Sequence, residues 1–261
     1  MKNISGKRAL ITGASSGLGV EFAGLLAQRK VNLVLAARRQ VPMEELASQL
    51  RSKHGIEVLV VPIDLSLPDA ASRLKGHLDE HSISVNILVS NAGSGHFGDF
   101  LDTPFESSAE TIRLNIGTVT ELTYLFGRDM AERRSGHILL IGSVLSFQAV
   151  PTYAVYAAAK AYTLSFGEAL HNELRPHGVV VTTLCPGRTA TSFDAVAGAK
   201  PSPFLQKLTM KARPVAETGI KALLAGRAFA IPGLSNKLMA LSTRLTPRSM
   251  QRDSIQKMLA S

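Results

Sequence analysis

Short apolar runs recur along the chain, and each gives way to a stretch with apolar residues at helical spacing. The runs are Ala9–Thr12, Val31–Ala36, Glu57–Pro62, Ile87–Ser90, His137–Gly142 and Val179–Leu184. They lack the strict alternation of a half-exposed strand, as expected where both faces of a sheet are covered. Helical spacing fills the intervals near 17–29, 43–54, 69–81, 106–133, 154–174 and 215–226. Strands that alternate with helices predict an α/β fold, a doubly wound parallel sheet with helices on both faces. Ala228–Gly233 reads as a short strand closing one edge. Beyond it Leu234, Leu238, Leu241 and Leu245 return at helical spacing. Thr246-Pro247 then reads as the N-cap and first position of a last helix that runs to about Leu259. These make a helical C-terminal tail. Residues 187–214 show no period, and loops of that length are often lids or binding loops, so a substrate loop is expected there.

Composition narrows the class. The chain has 261 residues, 45% of them apolar, enough for one large core, and a single domain over 1–261 is expected. Residues 187–214 and 234–261 are sub-regions of it. Cys185 is the one cysteine, so no internal disulfide forms, and its place at a strand end suits packing. Gly6, Lys7 and Arg8 follow Lys2 and interrupt any apolar leader, so no signal peptide is expected. No stretch approaches the ~20 apolar residues of a membrane span. These readings place the chain in the cytoplasm.

Charge is uneven. Of the net +9, residues 1–199 contribute nothing, with 18 Lys/Arg against 18 Asp/Glu. Residues 200–261 hold 11 basic and two acidic side chains. That segment reads either as a solvated surface or as a patch for an acidic lipid or an acyl carrier. Nucleic acid is not expected, since no binding motif appears and there is no Trp.

Two constellations carry chemistry. Residues 12–19 read Thr-Gly-Ala-Ser-Ser-Gly-Leu-Gly between the first strand and the first helix. Gly13, Gly17 and Gly19 let the backbone turn and approach a diphosphate, and the helix N-terminus offers free N–H groups. The second constellation is Tyr156 with Lys160, one helical turn apart, and Ser143 thirteen residues before Tyr156. A free phenol has a pKa of about 10. An ammonium within ~4–6 Å lowers it by one to three units, worth about 4 kcal/mol at most. Such a pair is an acid/base for an alcohol or carbonyl.

Five blocks in order resemble the short-chain dehydrogenase/reductase family in its compact, Rossmann-like form. They are Thr12–Gly19, Asn91-Ala92-Gly93, Asn115, Ser143 with Tyr156 and Lys160, and Pro186-Gly187 with Thr191. The family usually has Asn where Ser90 stands, a change of local hydrogen bonding. The resemblance implies an NADP(H)-dependent oxidoreductase that moves a hydride between nicotinamide and a carbonyl or secondary alcohol. It implies that Tyr156 exchanges the proton, Ser143 polarises the oxygen, and Lys160 lowers the Tyr156 pKa and holds the nicotinamide ribose. Asn115 resembles the residue that positions a water beside that lysine. Cofactor contacts are expected from Gly13, Ser15, Ser16, Gly17, Leu18, Gly19, Asn91, Ala92, Gly93, Tyr156, Lys160, Pro186, Gly187, Thr189 and Thr191. Asp64 and Leu65 match the place that contacts adenine, although Asp64 also reads as a turn residue before Ser66.

An NAD site normally has a carboxylate after the second strand. Here Arg38 and Arg39 follow it, which favours a 2′-phosphate and hence NADP(H), with Arg38 the first candidate. Arg39 also reads as a surface charge flanking the next helix. Gly95, His96, Phe97, Leu145, Phe147, Tyr153 and Phe193 are candidate lining residues. With Ser143, they suit an apolar ketone or alcohol, steroid-like or fatty-acyl. Tyr153 lacks a lysine four residues on, and Ser146 has the wrong separation from Tyr156, so neither is expected in the catalytic set. By resemblance the helices at 106–133 and 154–174 pair across a homodimer or homotetramer. Rival readings are a non-catalytic NADP(H)-binding regulator, a membrane-surface protein, and an epimerase or dehydratase.

Overall fold

The computed structural model describes residues 4–199, 202 and 206–260. Lys2, residues 200–201 and 203–205 of the expected substrate loop, and Ser261 lie outside the described residues. Seven strands form one sheet: β1 (Arg8–Thr12), β2 (Asn32–Ala37), β3 (Val58–Pro62), β4 (Ile87–Ser90), β5 (Gly136–Ile141), β6 (Val179–Leu184) and β7 (Phe229–Ala230). Every pairing is parallel, in the order β3-β2-β1-β4-β5-β6-β7. Among the described residues the α-helices with bounded ranges are, in chain order, α1 (Gly17–Ala27), α2 (Gln40–His54), α3 (Ala70–Glu80), α4 (Phe105–Ile112), α5 (Thr118–Glu132) and α6 (Ala154–Leu174), then α7 (Phe193–Ala197), α8 (Ala212–Leu224), α9 (Leu234–Leu245) and α10 (Arg248–Ala260).

Alternation is present in the strands, but both phases are apolar. Ala9, Ile11, Leu33, Leu35, Ile87, Val89, Leu139 and Ile141 point to one face, where α1, α2 and α8 pack with Phe22, Met43 and Ile220. Leu10, Val34, Leu88, Ile138 and Leu140 point to the other, against Leu74 of α3 and Phe126 of α5. Fully burying Phe22 or Phe126 contributes about 1.5–3 kcal/mol each.

Local chemistry sets the departures from expectation. Helix α2 starts at Gln40, ahead of the expected position 43, because Pro42 falls in the first turn, where an N–H has no partner to lose. The helix expected to run unbroken over 106–133 contains a π turn at Arg113–Gly117. The expected edge strand Ala228–Gly233 shrinks to two residues that pair with Thr183 and Leu184. Pro232 cannot donate to a ladder, which ends it. In 187–214, α7 forms, and Thr189 and Met210 close a parallel bridge, made by Ala190 N–H to Met210 O (2.8 Å) and Met210 N–H to Arg188 O (2.9 Å). Among the described residues no helix is long and apolar enough to cross a membrane.

Candidate active site

Strand order reverses between β1 and β4, so the loops leaving their carboxyl ends diverge there and open a crevice. Thr12, the last residue of β1, knits the two loops. Its Oγ1 accepts the Asn91 N–H (3.0 Å) and the Ala92 N–H (2.9 Å). Asn91 Nδ2 returns a bond to Thr12 O (2.9 Å) and a longer one to Gly13 O (3.3 Å). Ser90, in place of the usual Asn, is the buried end of β4.

Ser143 leaves β5 and caps a short 3₁₀ turn, Val144–Phe147. Its Oγ accepts the Leu145 N–H (3.1 Å), and its own N–H donates to Ser146 Oγ (3.1 Å). Ser146 Oγ in turn donates to Lys160 O (2.8 Å). Its separation from Tyr156 keeps Ser146 out of the catalytic set, yet it is the link that fixes the Ser143 turn to α6. The signal that finds it is the Ser-x-x-Ser capping pattern, not its distance from Tyr156.

Helix α6 presents Tyr156 and Lys160 on one face. Lys160 is buried, and its Nζ donates to Ile141 O (2.9 Å) at the end of β5. The same Nζ lies 5.6 Å from the centre of the Tyr156 ring. Burial pulls the Lys160 pKa down to about 8, with the Cys185 sulfur acting in the opposite sense. Burial also pushes the Tyr156 phenol well above its ordinary value. A hydrogen bond with Ser143 works against this, and Tyr153 and Asp194 add to it. The expected lowering of the phenol by Lys160 is therefore reversed, because desolvation of the ring outweighs the favourable interactions.

Asn115 sits at the centre of the π turn and is fully buried. Its Nδ2 donates to Ser94 O (2.6 Å) and Thr111 O (2.9 Å). π turns inside α-helices are frequent at functional sites. Asn115 Oδ1 is buried and accepts no hydrogen bond among the described residues. A Cβ on Gly93 would lie 2.7 Å from that oxygen and 3.4 Å from Lys160 Nζ, so the acceptor and the ammonium face the same gap.

A glycine turn, a Ser/Tyr/Lys cluster and an asparagine in a π turn thus meet around one crevice, and the profile described as short chain dehydrogenase matches residues 7–201. The chain belongs to the short-chain dehydrogenase family. It is 30% identical over 223 residues to the very-long-chain 3-oxoacyl-CoA reductase of Rattus norvegicus, covering 84% of this chain and 68% of that protein. A short-chain dehydrogenase from Sphingobium yanoikuyae in complex with NADPH matches at a TM-score of 0.82 and 30% identity, over 92% of this chain and 93% of that one. A short chain dehydrogenase/reductase from Burkholderia phymatum in complex with NAD matches at 0.83 and 26% identity, over 97% of each chain. Short-chain dehydrogenases are oxidoreductases that bind a nicotinamide dinucleotide.

The crevice of this short-chain dehydrogenase fits such a group. Gly13 and Gly17 hold left-handed φ angles of +65° and +56°. A Cβ on Gly19 would run into the Gly13 carbonyl oxygen. Ser16, the residue before α1, makes no side-chain capping bond, so the N–H groups of Gly17, Leu18 and Gly19 are left for an anion. Arg39 Nη2 donates to Ser15 Oγ (3.2 Å) and Ser15 O (3.3 Å), which brings the second arginine candidate against the turn. Arg38 is turned toward Glu110, at 3.8 Å. Asp64 Oδ1 accepts from Ser66 N–H (2.9 Å) and Ser66 Oγ (2.7 Å), so its turn role is real. Burial works to raise the Asp64 pKa, but the Ser66 bonds and the Arg38 charge overcome it and hold the carboxyl below its usual range. Leu65 is buried, and its carbonyl accepts from Thr118 Oγ1 (2.7 Å).

Thr191 is brought against the glycine turn, where a Cβ on Gly17 would lie 3.0 Å from its Cγ2. Thr189 spends its hydroxyl on Gly187 O (2.9 Å), and Pro186 O accepts the Val144 N–H (2.8 Å). Gly187 is overlaid by Asn236 of α9.

Aromatic rings surround the tyrosine. Phe193 of α7 lies 5.2 Å from Tyr156, Tyr153 lies 6.0 Å from it, and Phe97 lies 5.2 Å from Tyr153. The Phe97 N–H donates to Ala197 O (2.9 Å), which ties the loop after β4 to α7. A cavity beside Tyr156 is lined by His96, Thr111, Thr152 and Val155. Phe147 packs on Phe229 at 6.5 Å and belongs to the β7 edge. Leu145 and Tyr153 pack around Val150, Ala157 and Ile255, so α10 reaches this cluster. Nothing in the sequence marked Ile255, because its partners lie about a hundred residues away.

Proposed function

We propose that this short-chain dehydrogenase reduces an apolar ketone with NADPH. The observation that carries the reading is the half-buried Tyr156 beside buried Lys160 and Ser143 at the mouth of the dinucleotide crevice. The bound dinucleotide supplies the hydride at its nicotinamide ring. Gly13, Ser15, Ser16, Gly17, Leu18 and Gly19 hold its phosphates. Asp64 and Leu65 border the adenine, and Asn91, Ala92 and Gly93 follow the ribose. Pro186, Gly187, Thr189 and Thr191 border the nicotinamide. Arg39, with Arg38, holds the 2′-phosphate by charge-assisted hydrogen bonds.

Tyr156 donates its proton to the substrate oxygen as that oxygen gains charge. A phenol raised by burial is protonated throughout the neutral range, which suits the acid of a reduction. Ser143 Oγ lies in its own turn ready to donate to the same oxygen. Lys160 stays buried beside Tyr156 and re-supplies the proton through the gap that Asn115 Oδ1 shares with it. Phe193, Leu145 and Tyr153 exclude water and suit an acyl or steroid-like carbonyl; the reductase relative supports the acyl version. Copies of the chain pair through the outer face of α4 and α5, where Phe105, Ile112 and Tyr124 are exposed.

The test is turnover of a ketone panel, including 3-oxoacyl thioesters, followed by NADPH absorbance. Tyr156→Phe is expected to lose about three orders of magnitude in kcat while still binding NADPH. Reduction by the unmodified protein holds steady across neutral pH and declines only in alkali. Turnover retained by the Phe variant removes Tyr156 from this role.

A further inference from the structure

Helix α9 turns four leucines to solvent. Leu234, Leu238, Leu241 and Leu245 are 73%, 58%, 53% and 78% exposed. At about 100° per residue they share an arc of about 60°. Asn236, Ala240 and Thr243 occupy the far side and are shielded. Asn236 Nδ2 donates to Pro232 O (2.8 Å) and covers Gly187, so the helix is anchored by that side. The leucines are not a slipped register.

The charges around the stripe are equally one-sided. Lys237 and Arg244 stand about 80° from the middle of the leucine arc, and Arg248 opens α10. All three are exposed, and none has an ion-pair partner among the described residues. Glu217 and Asp253, the two acids of residues 200–261, are engaged by Arg213 and Arg252. A contiguous exposed apolar strip with cations on its flank is the pattern of a helix lying in a membrane interface.

We propose that α9 docks on a bilayer that contains anionic phospholipid. The leucines enter the acyl boundary, and Lys237, Arg244 and Arg248 meet the headgroups. Charge decides the occupant. A second copy of this helix would set like cations against each other. An acidic carrier protein would answer the cations and leave four leucines without hydrocarbon to enter. The docking stands apart from the reductase reading and survives its failure.

The full-length protein is sedimented with sucrose-loaded vesicles of phosphatidylcholine alone and of phosphatidylcholine with about 30 mol% phosphatidylserine. Binding is expected on the anionic vesicles, weaker binding on the neutral ones, and release as salt rises. Leu238→Ser with Leu241→Ser should cut binding at least about tenfold. Lys237→Gln with Arg244→Gln, which touches no apolar contact, should weaken only the anionic arm. Thermal melts confirm that each variant is folded. The proposal is overturned if the unmodified protein stays in the supernatant, or if both variants bind as it does. It is also overturned if light scattering shows that the leucine variant splits an assembly, which would make the stripe a contact between copies.

Discussion

Lys160 is the residue whose environment has the clearest thermodynamic consequence. Its pKa is about 8 in the folded chain against 10.5 in the open one, so the unfolded state binds more protons between those values. Stability from this group is present above pH 10.5 and is lost as the pH falls to about 8. Holding the ammonium buried at neutral pH therefore costs about 3 kcal/mol. Tyr156 and Cys185 act in the opposite direction, because burial raises both and their unfolded forms ionise first. The Lys160→Met variant isolates the lysine. Its melting temperature should exceed that of the parent near neutrality, and the gap should close as the pH rises through the window. A constant gap would show that Lys160 keeps its ordinary pKa in the fold. The arginines offer a second residue-scale test. On the proposed NADPH reading, Arg39→Asp should lower kcat/KM for NADPH about 10- to 100-fold relative to NADH; an unchanged ratio would release Arg39 from the 2′-phosphate. The sequence puts Arg38 first; that Arg38 faces Glu110 of a distant helix was not legible there.

At the scale of elements, the strands and the glycine turn were legible because their causes are local. Apolar runs, a Pro in a first turn and a Gly at positive φ each act within a few residues. Gly19→Ala should weaken dinucleotide binding at least about tenfold, since the new methyl meets the Gly13 carbonyl. Gly24→Ala in the same helix meets nothing within 4 Å. It should leave binding intact and raise stability by about 0.5–1 kcal/mol. Equal behaviour of the two in titration and melting would mean that α1 does not approach β1 so closely. The π turn at Asn115 was not legible, because it is held by Ser94 O from a separate loop. Helix α7 was missed for a similar reason. It is only five residues long and is fixed by Phe97 and by the Arg188–Asp194 ion pair (2.7 Å), not by its own period.

At the scale of the molecule, the sheet order fixes where chemistry gathers, and this followed from the alternation of strands and helices alone. How copies would meet did not. Phe105 is 74% and Tyr124 63% exposed on consecutive helices, a surface that a homo-oligomer would cover. Phe105→Asp with Tyr124→Asp should reduce the molar mass seen by light scattering to that of one chain. An unchanged mass would move the interface elsewhere.

Ile255 makes the two ends of the polypeptide unequal for anyone handling the protein. The first described residues precede β1, at the opposite end of that strand from Gly13. Ile255 instead packs from the last helix against the cluster that holds Leu145 and Tyr153. On the proposed ketone reading, a fusion placed before the first strand is expected to leave KM unchanged, while the same cargo appended behind Ala260 is expected to shift KM for the bulkiest ketones first.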